Sequence, residues 1–424
     1  MLTIQMLRTE KDKVVEGLKK KNFSDLSLVD TILSIDEERR KIQAENDDYL
    51  SKINLASKEI GKLMGSGQKD AAESMKQEVS NYKEQSKLLS DKLADLEKQQ
   101  HDALVQLPNL PNAIVPFGKT PEENEVVRSG NEIPVLYNGA QPHWELCSKY
   151  NLINFELGTK ITGAGFPVYI NKGARLQRAL ISYFLDYNTK AGYTEYQPPY
   201  VVNADSGYGT GQLPDKEGQM YHVGLDDFYL ISTAEVPLTN LYRDELIKEE
   251  ELPIRMTGYT PCFRREAGSY GKDVRGLNRL HQFDKVEIVH FTKAEDSYAA
   301  LDAMVEHVEK LVQSLELPYR ILRLCGGDMS FASALTYDFE VYSTAQQRWL
   351  EVSSVSNFET FQTNRMKFRY KNGEGKTQLV HSLNGSSLAL PRILACLLEN
   401  HQTADGISIP KVLQPYFGSD LISE

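Results

Sequence analysis

The first quarter of the chain carries a heptad pattern of apolar positions, and this pattern occurs twice. Apolar residues recur at alternating spacings of four and three along residues 28–63 and again along residues 72–107. This spacing places the apolar side chains on one face of a helix and is typical of a coiled coil. A short glycine-containing segment, residues 64–70, separates the two series. We therefore predict two long helices that run antiparallel on either side of a tight turn.

The predicted hairpin is too long to pack onto one compact core. At 1.5 Å per residue, each helix extends over roughly 50 Å. The pattern alone favours a dimerisation rod or spacer, and an arm that reaches along an extended partner is the alternative, which needs support from the rest of the chain. The first proline of the chain is Pro108, and proline interrupts the hydrogen bonding of a helix. We therefore place a domain boundary here, with one domain over residues 1–107 and a second over residues 108–424.

Beyond residue 110, short runs rich in β-forming residues alternate with helical stretches. The pattern predicts a hairpin from residues 220–223 and 228–231, a strand over 286–291, and a strand pair from 338–342 and 349–353. Strands that follow one another without helical crossovers favour an antiparallel sheet. The predicted fold class is α+β: an N-terminal antiparallel coiled-coil arm, followed by a domain built on an antiparallel sheet flanked by helices.

Composition narrows the classes of function. The 424 residues include 48 basic and 59 acidic side chains, for a net charge of -11, which argues against nonspecific coating of nucleic acid but permits a local basic site. No apolar run approaches the roughly 18 residues of a membrane span, and no secretion signal is evident. The widely separated cysteines predict reduced, buried thiols in a cytoplasmic protein, and neither a disulfide framework nor a zinc site.

The densest group of chemically useful residues lies between positions 260 and 287. The pattern predicts a hairpin with Arg264 and Glu266 on the same face of one strand, two positions apart. Such a pair is often a surface ion pair that contributes little to stability. With Arg279 and Phe283 nearby, it could instead bind a nucleotide through guanidinium–phosphate and ring–base contacts. The residues alone leave both interpretations open.

Two further segments carry candidate ligands for phosphate and metal. Glu351 begins a polar strand segment whose oxygen atoms would suit magnesium held jointly with phosphates, although a lone glutamate on a strand is usually solvated. Arg392 lies near the start of an apolar helix, where backbone N–H groups favour anions. The chain has neither the glycine-rich phosphate loop nor the dinucleotide-binding glycine fingerprint.

Taken in order, these segments resemble those of one enzyme family. Residues 192–199, 263–283 and 384–400 are similar to motifs 1, 2 and 3 of the class II aminoacyl-tRNA synthetases. Residues 209–214, 233–235, 281–287 and 361–362 resemble stretches specific to the seryl-tRNA synthetases. The resemblance extends over nearly the whole chain, arm included, and is to the bacterial type of the family.

The resemblance implies ATP-dependent activation of L-serine to seryl-adenylate, followed by transfer to the 3′ end of tRNA(Ser), with tRNA(Sec) as a second candidate acceptor. It implies that the arm binds the tRNA, that ATP and Mg²⁺ are used without zinc, and that the protein is a cytoplasmic homodimer without a membrane partner. The alternatives are a paralogue that activates an amino acid for a non-tRNA acceptor, and a non-catalytic RNA-binding protein.

The resemblance also implies roles for particular residues. Catalytic roles fall to Arg264, Glu266 and Arg392. The implied serine contacts are Thr233, Ala234, Glu235, Arg264, Glu287 and Ser386. The implied ATP contacts are Arg264, Arg265, Glu266, Arg279, Phe283, Glu351, Val352, Ser353, Ser354 and Arg392. The implied Mg²⁺ ligands, acting with the ATP phosphates, are Glu351 and Ser354.

At several positions near the implied site the chain departs from the usual family sequence. Pro391 replaces a glycine before the motif 3 arginine, where it is harmless in the first turn of a helix and would kink the helix if it lay deeper. The other departures are Ser330, residues 342–344, and Thr363 with Asn364. None of them removes a residue to which the resemblance assigns a role.

Overall fold

The computed structural model describes residues 1–215, 218–266 and 275–423. The chain divides into two units, Met1–Pro108 and Asn109–Glu424. The part of the predicted motif 2 that includes Ala267 and Gly268 lies outside the described residues. Within the described part of the chain, no helix is both long enough and apolar enough to cross a membrane.

The first unit is helical, with α1 (Ile4–Thr9), α2 (Lys11–Lys20), α3 (Leu28–Gly65) and α4 (Lys69–Leu104). Helices α3 and α4 pack side by side as an antiparallel pair, and Gly67 adopts a φ of +80° in the turn between them. The second heptad series is buried or partly buried at every position, from Ala72 to Leu107. The predicted antiparallel coiled coil is therefore confirmed.

Polar contacts fix the register of the two long helices. The Ser86 hydroxyl donates to Asn46 Oδ1 at 2.7 Å within the buried seam, and the rings of Tyr49 and Tyr82 are 5.9 Å apart. Buried polar pairs of this kind select one register, because any shift leaves them without partners. In both pairs the two residue numbers add up to about 132, so residues whose numbers have this sum lie opposite one another in the antiparallel helices.

The second unit contains many short strands and a few long ones. The described strands are β1 (Glu125–Gly130), β2 (Ile153–Asn154), β3 (Val168–Tyr169), β4 (Thr194–Glu195), β5 (Val201–Val202), β6 (His222–Val223), β7 (Phe228–Leu230), β8 (Leu246–Lys248), β9 (Ile254–Phe263), β10 (Gln282–Thr292), β11 (Tyr319–Arg323), β12 (Leu335–Ser343), β13 (Arg348–Glu359), β14 (Arg369–Lys371), β15 (Thr377–Leu379), β16 (His381–Ala389), β17 (Ile407–Ser408) and β18 (Leu421–Ile422).

Helices are interspersed among these strands. The described helices are α5 (His143–Lys149), α6 (Phe155–Ile161), α7 (Asn171–Lys190), α8 (Ala204–Thr210), α9 (Glu235–Asn240), α10 (Ser297–Ser314), α11 (Phe361–Met366), α12 (Leu390–Asn400) and α13 (Gln414–Phe417). Pro391 lies in the first turn of α12, where proline leaves helical hydrogen bonding intact. The structure thus places it at the harmless position.

An eight-stranded sheet with the order β1-β11-β12-β13-β16-β10-β9-β4 organises the second unit. Its neighbouring strands are antiparallel, except that β4 runs parallel to β9. Helices α7, α10 and α12 pack against the central strands. The α+β fold is therefore confirmed, as are the strand pairs β6–β7 and β12–β13. In particular, β9, β10 and β16 lie side by side and carry the candidate site.

Candidate active site

A buried cluster of polar side chains lies beside the N-terminus of α9 and the middle of β10. The Lys285 ammonium is 2.5 Å from Glu287 Oε2 and donates to the Thr233 hydroxyl at 2.8 Å. The Thr233 hydroxyl in turn donates to Glu287 Oε2 at 3.1 Å. All three side chains are buried. In this arrangement the Glu287 carboxylate is paired with the Lys285 ammonium. The Thr233 hydroxyl has a single hydrogen, and it is used in the hydrogen bond to Glu287.

Glu235 adds a second carboxyl group to the same pocket. Gln362 Nε2 donates to Glu235 Oε1 at 2.6 Å, and the amide of Gln362 is oriented by a hydrogen bond from Ser382 to Gln362 Oε1 at 2.7 Å. Burial and, secondarily, the nearby charge of Glu287 raise the pKa of Glu235 from 4.5 to about 7. The pocket therefore holds two carboxyl groups and one ammonium, an arrangement that favours an additional cation.

The sheet register brings two more of the predicted serine contacts to this pocket. Ser386 of β16 lies directly opposite Glu287 of β10, so their side chains share one face of the sheet. Ala234, fully buried, joins Thr233 to α9. The structure thus brings together five of the six predicted serine contacts, all except Arg264, from three separate parts of the chain.

Arg264 and Phe283 lie next to one another, but the predicted pairing of Arg264 with Glu266 is wrong. Strand β9 ends at Phe263, and the backbone of Glu266 has a φ of +47°, so Arg264 and Glu266 do not share a strand face. Arg279 donates to Glu266 Oε2 at 2.8 Å instead. The Arg264 guanidinium lies 5.2 Å from the centroid of the Phe283 ring. The strand pattern could not reveal that β9 ends at Phe263 or that Glu266 has a left-handed backbone conformation.

A bulge in the β12–β13 pair groups the predicted magnesium ligands on one face. In a regular strand, Glu351 and Ser354 would point to opposite faces because they are three residues apart. The register shifts by one residue in this region, so Glu351 lies opposite Glu340 and Ser354 lies opposite Asp338. All four side chains therefore lie on the same face of the sheet.

Asp338 is a partly buried residue of this second cluster, and its carboxyl oxygen Oδ1 is buried. Burial and then the charge of Glu351 raise the pKa of Asp338 well above its usual value, while a hydrogen bond from Ser354 opposes the shift. Asp338 Oδ1 is buried without a hydrogen-bond partner in the described structure. Because an orphaned carboxylate oxygen is costly to bury, this atom is suited to contact with a cation.

Arg392 is held next to the carboxyl cluster by main-chain carbonyl groups. Its Nε donates to Asn278 O at 3.1 Å, and its Nη1 donates to Glu351 O at 2.7 Å and lies 3.6 Å from Glu351 Oε2. The guanidinium therefore borders the group that carries the predicted magnesium ligands. An arginine in this place can neutralise phosphate charge.

Two of the predicted ATP contacts have buried side chains, and a third, Arg265, is held by a backbone hydrogen bond. Val352 and Ser353 are buried in the sheet, and Ser353 Oγ donates to Ser386 O at 2.6 Å. These two residues can reach a ligand only through backbone atoms. Arg265 donates its backbone N–H to Gln219 O at 2.9 Å.

Three residues that occupy the two clusters were assigned no role from sequence: Lys285, Gln362 and Asp338. Lys285 and Gln362 fall within the stretches that carry the seryl-type resemblance, and a lysine in a run of buried strand residues is itself unusual. Asp338 belongs to a predicted strand, but its relation to Ser354 depends on the bulge, which no local pattern indicates.

The family departures are accommodated around the site. Thr363 donates its hydroxyl hydrogen to Val380 O at 2.5 Å, next to Gln362. Ser343 donates to the carboxylate of Glu399, and Thr344 donates its N–H to Asn400 Oδ1 at 3.2 Å. These substituted residues therefore form hydrogen bonds that hold α11 and α12.

Comparisons with known proteins agree with this architecture. The seryl-tRNA synthetase N-terminal domain matches residues 1–111, and the class II core domain of tRNA synthetases (G, H, P, S and T) matches residues 221–401. A serine–tRNA ligase from Salinibacter ruber is 49% identical over 420 residues, which cover 99% of this chain and 98% of that protein. The chain belongs to the seryl-tRNA synthetase family.

Other members of the family are similar over the same length. A serine–tRNA ligase from Methylacidiphilum infernorum is 45% identical over the whole of both chains. The seryl-tRNA synthetase from Pyrococcus horikoshii, solved in complex with ATP, has a TM-score of 0.93 at 31% identity, covering 100% of this chain and 99% of that one. The cytoplasmic enzyme from Naegleria fowleri, solved with AMP, has a TM-score of 0.89 at 27% identity and the same coverage.

Proposed function

We propose that this protein activates L-serine with ATP to form seryl-adenylate and transfers the seryl group to the 3′ end of tRNA(Ser). The observation that carries the proposal is the buried pocket of Thr233, Glu235, Lys285 and Glu287, which lies within a family match along the whole chain. Its two carboxyl groups and one ammonium suit a small ligand that brings its own positive charge.

Serine would be recognised by its ammonium and its hydroxyl group. Glu235 and Glu287 would bind the ammonium and hydroxyl groups, with Ser386 opposite Glu287 and Ala234 closing the wall. Thr233 and Lys285 both contact Glu287 Oε2, so substrate contacts would fall on Oε1. A ligand without a hydroxyl group would leave a buried carboxylate oxygen unpaired, which is the basis for rejecting alanine.

ATP would bind across the neighbouring part of the sheet. Phe283 would stack on the adenine, and Glu266 would accept hydrogen bonds from the adenine amine. Arg264 would hold the α-phosphate and the serine carboxylate. Arg279 and Arg392 would bind the pyrophosphate end. This division uses the planar guanidinium groups where bidentate contact with phosphate is needed.

The residues of the second cluster fit magnesium. Glu351, Ser354 and Asp338 supply oxygen atoms on one face, and Asp338 Oδ1 is without a hydrogen-bond partner. Among the described residues no group of three or more His, Cys, Asp or Glu side chains could hold a metal ion alone. Magnesium would therefore be shared with the ATP phosphates, as is usual for this ion. When bound, it supplies neutralisation of phosphate charge.

The chemical step needs alignment rather than a covalent enzyme intermediate. A serine carboxylate oxygen attacks the α-phosphorus, and the bond from that phosphorus to the bridging oxygen breaks to release pyrophosphate. Arg264 would hold both reacting groups, and Arg392 would stabilise the charge that develops on the leaving group. Positioning and charge stabilisation of this kind account for most of the acceleration in such transfers.

The helical arm would bind the tRNA, and the protein would act as a cytoplasmic homodimer. Support for the arm comes from the antiparallel helices α3 and α4, since a long rigid pair of helices can contact an extended RNA by its shape. The four cysteines are free and buried, which suits a reducing compartment.

Amino-acid-dependent exchange between ATP and pyrophosphate tests the activation step. Across the twenty amino acids, we expect exchange with serine, and far weaker exchange with alanine and threonine. Charging of tRNA(Ser) tests the second step. Exchange without charging would instead favour the paralogue that uses another acceptor, and absence of exchange with every amino acid would refute the proposal.

A further inference from the structure

A fully buried histidine connects the end of the motif 2 segment to the motif 3 helix. We propose that His143, together with Glu399, is a positioning residue that holds Arg392 for the ATP half of the reaction. The proposal rests on the function proposed above, and it adds a residue from helix α5 to which no role has been assigned. Within the described part of the chain, the ring nitrogens of His143 are hydrogen-bonded to Leu277 and Glu399 rather than to the clusters that would bind serine or magnesium. It acts through hydrogen bonds to the backbone.

The hydrogen bonds of His143 define its tautomer. The backbone N–H of Leu277 donates to His143 Nε2 at 2.8 Å. Because this N–H can only donate, Nε2 must carry no hydrogen. The hydrogen is therefore on Nδ1, which donates to Glu399 Oε1 at 2.7 Å. Both side chains have 0% exposure, so water cannot replace either contact.

Glu399 fixes the imidazole because its own carboxylate is held by several donors. Glu399 Oε1 also accepts the backbone N–H of His143 at 2.9 Å and the Gln346 side-chain amide at 3.1 Å. Glu399 Oε2 accepts the hydroxyl of Ser343. A buried carboxylate with this many donors has one well-defined position. The imidazole that donates to it is consequently fixed in orientation.

The hydrogen bonds of His143 are linked to Arg392 through the backbone of Leu277 and Asn278. Asn278 follows Leu277, and its carbonyl accepts Arg392 Nε at 3.1 Å. The Asn278 side-chain amide also donates to Gln346 Oε1 at 2.9 Å, which joins the same network. Two main-chain carbonyls thus hold the Arg392 guanidinium, those of Asn278 and Glu351. The first of these carbonyls belongs to the residue after Leu277, whose N–H is bound by His143.

The close approach of the chain at Gly276 supports a specific role for the imidazole. Gly276 has a φ of +65°, and a Cβ atom there would lie 2.2 Å from His143 Nε2. The backbone therefore passes directly over the acceptor nitrogen. A small displacement of this backbone would move the Asn278 carbonyl and with it the guanidinium, and misplacement by about 1 Å can reduce a rate on the order of a hundredfold.

Two substitutions of His143 separate the acceptor from the donor. An asparagine amide would occupy the place of Nδ1, so His143→Asn keeps a donor to Glu399 but loses the acceptor for Leu277. A glutamine amide would reach the place of Nε2, so His143→Gln keeps that acceptor. In serine-dependent exchange we expect His143→Asn to raise the KM for ATP about tenfold and to leave the KM for serine within about twofold. In His143→Gln, we expect the KM for ATP to return most of the way to the wild-type value.

A double-mutant cycle tests whether His143 acts through Arg392. Arg392→Lys removes the Nε donor to Asn278, so His143→Asn should change the KM for ATP by less than about twofold in that background. The same tenfold factor in both backgrounds would overturn the proposal, as would equal behaviour of the asparagine and glutamine variants. A loss spread equally over the KM values for ATP and serine would also overturn it, since a structural defect predicts that result.

A second route to the same perturbation leaves His143 in place. Gly276→Ala should push the imidazole away from Leu277 and raise the KM for ATP with little change in that for serine. If His143→Asn fails to fold, this variant decides the question, and an unchanged KM for ATP refutes the proposal. Failure of the proposed function is distinguishable, because the wild-type protein would then show no serine-dependent exchange at all.

Discussion

Replacing Glu235 with glutamine should stabilise the protein without substrate while weakening its binding of serine. Burial, followed by the charge of Glu287, raises the pKa of Glu235 from 4.5 to about 7. At about 1.4 kcal/mol for each pKa unit, ionising this carboxyl group costs about 3 kcal/mol more in the folded chain than in the unfolded one. Glutamine has the same shape and can still accept the hydrogen bond from Gln362, but it does not ionise.

The pH dependence gives the sign of the effect. A raised carboxyl pKa disfavours the folded state only where the unfolded chain is ionised, so the penalty is small below pH 4.5, grows through the window from 4.5 to about 7, and is complete above it. Urea unfolding of the substrate-free protein should show that Glu235→Gln adds about 3 kcal/mol to the unfolding free energy at pH 8 and on the order of 1 kcal/mol at pH 5.

The same charge should control serine binding in the opposite direction. The serine ammonium requires the ionised carboxylate, so the wild-type KM for serine should rise as pH falls below about 7, by up to tenfold for each pH unit. In the glutamine variant, this KM should be high and independent of pH. Glu250→Gln, on an exposed turn, is the matched control. An equal stability change at pH 5 and pH 8, or destabilisation at pH 8, would refute the reasoning.

Three further changes test the rest of the molecule. Removing residues 53–79 and joining the shortened α3 and α4 with a Gly-Ser turn preserves the register of the two helices. This change should lower kcat/KM for tRNA charging on the order of a hundredfold and leave pyrophosphate exchange intact. Equal loss of both activities would contradict the assignment of the arm to tRNA binding. Asp338→Asn should raise the Mg²⁺ concentration for half-maximal exchange about tenfold, and an unchanged Mg²⁺ requirement would exclude Asp338 from the metal site. Asp36→Asn should destabilise the first unit by about 3 kcal/mol at pH 7, as measured by circular dichroism during unfolding. Burial alone would raise the pKa of Asp36, but hydrogen bonds from Arg8 and Gln100 hold this pKa below its usual value. The difference in stability from the wild type should therefore vanish as the pH falls through that pKa. A difference that persists in acid would contradict this ion pair.

Periodicity predicted those features that depend on one element or on two adjacent elements. The heptads of the arm predicted which face of α4 is buried, because a coiled coil repeats one local geometry many times. The β-rich sequence pattern also predicted the strand pairs β6–β7 and β12–β13, because each pair joins two strands that follow one another in the sequence. Alternation failed at Glu266, where a left-handed backbone ends the strand geometry, and it could not relate Ser354 to Asp338 across a bulge.

Long-range contacts lay beyond any local pattern. The buried lysine of β10 became meaningful only when the fold placed Thr233 next to it, and Gln362 only when α11 met α9. The resemblance supplied Thr233, Glu235 and Glu287 as a set without indicating how the protein holds two carboxyl groups next to each other. Hydrogen bonds among residues far apart in sequence answer that question, and they are properties of the fold.

The proposed serine pocket contains two carboxyl groups and one ammonium, and we expect this excess of acidic groups to contribute to recognition. Burial and then the charge of Glu287 raise the pKa of Glu235 to about 7, while Lys285 is paired with Glu287, so Glu235 is only partly ionised near neutral pH. A ligand ammonium next to Glu235 would oppose the effects of burial and of the Glu287 charge, would lower this pKa and would favour ionisation. The binding energy is then largest for a ligand that brings both a cation and a hydroxyl group to a pocket from which water is excluded. Under the proposed assignment, selectivity for serine and lower stability of the protein without substrate are therefore two consequences of the same buried carboxyl groups.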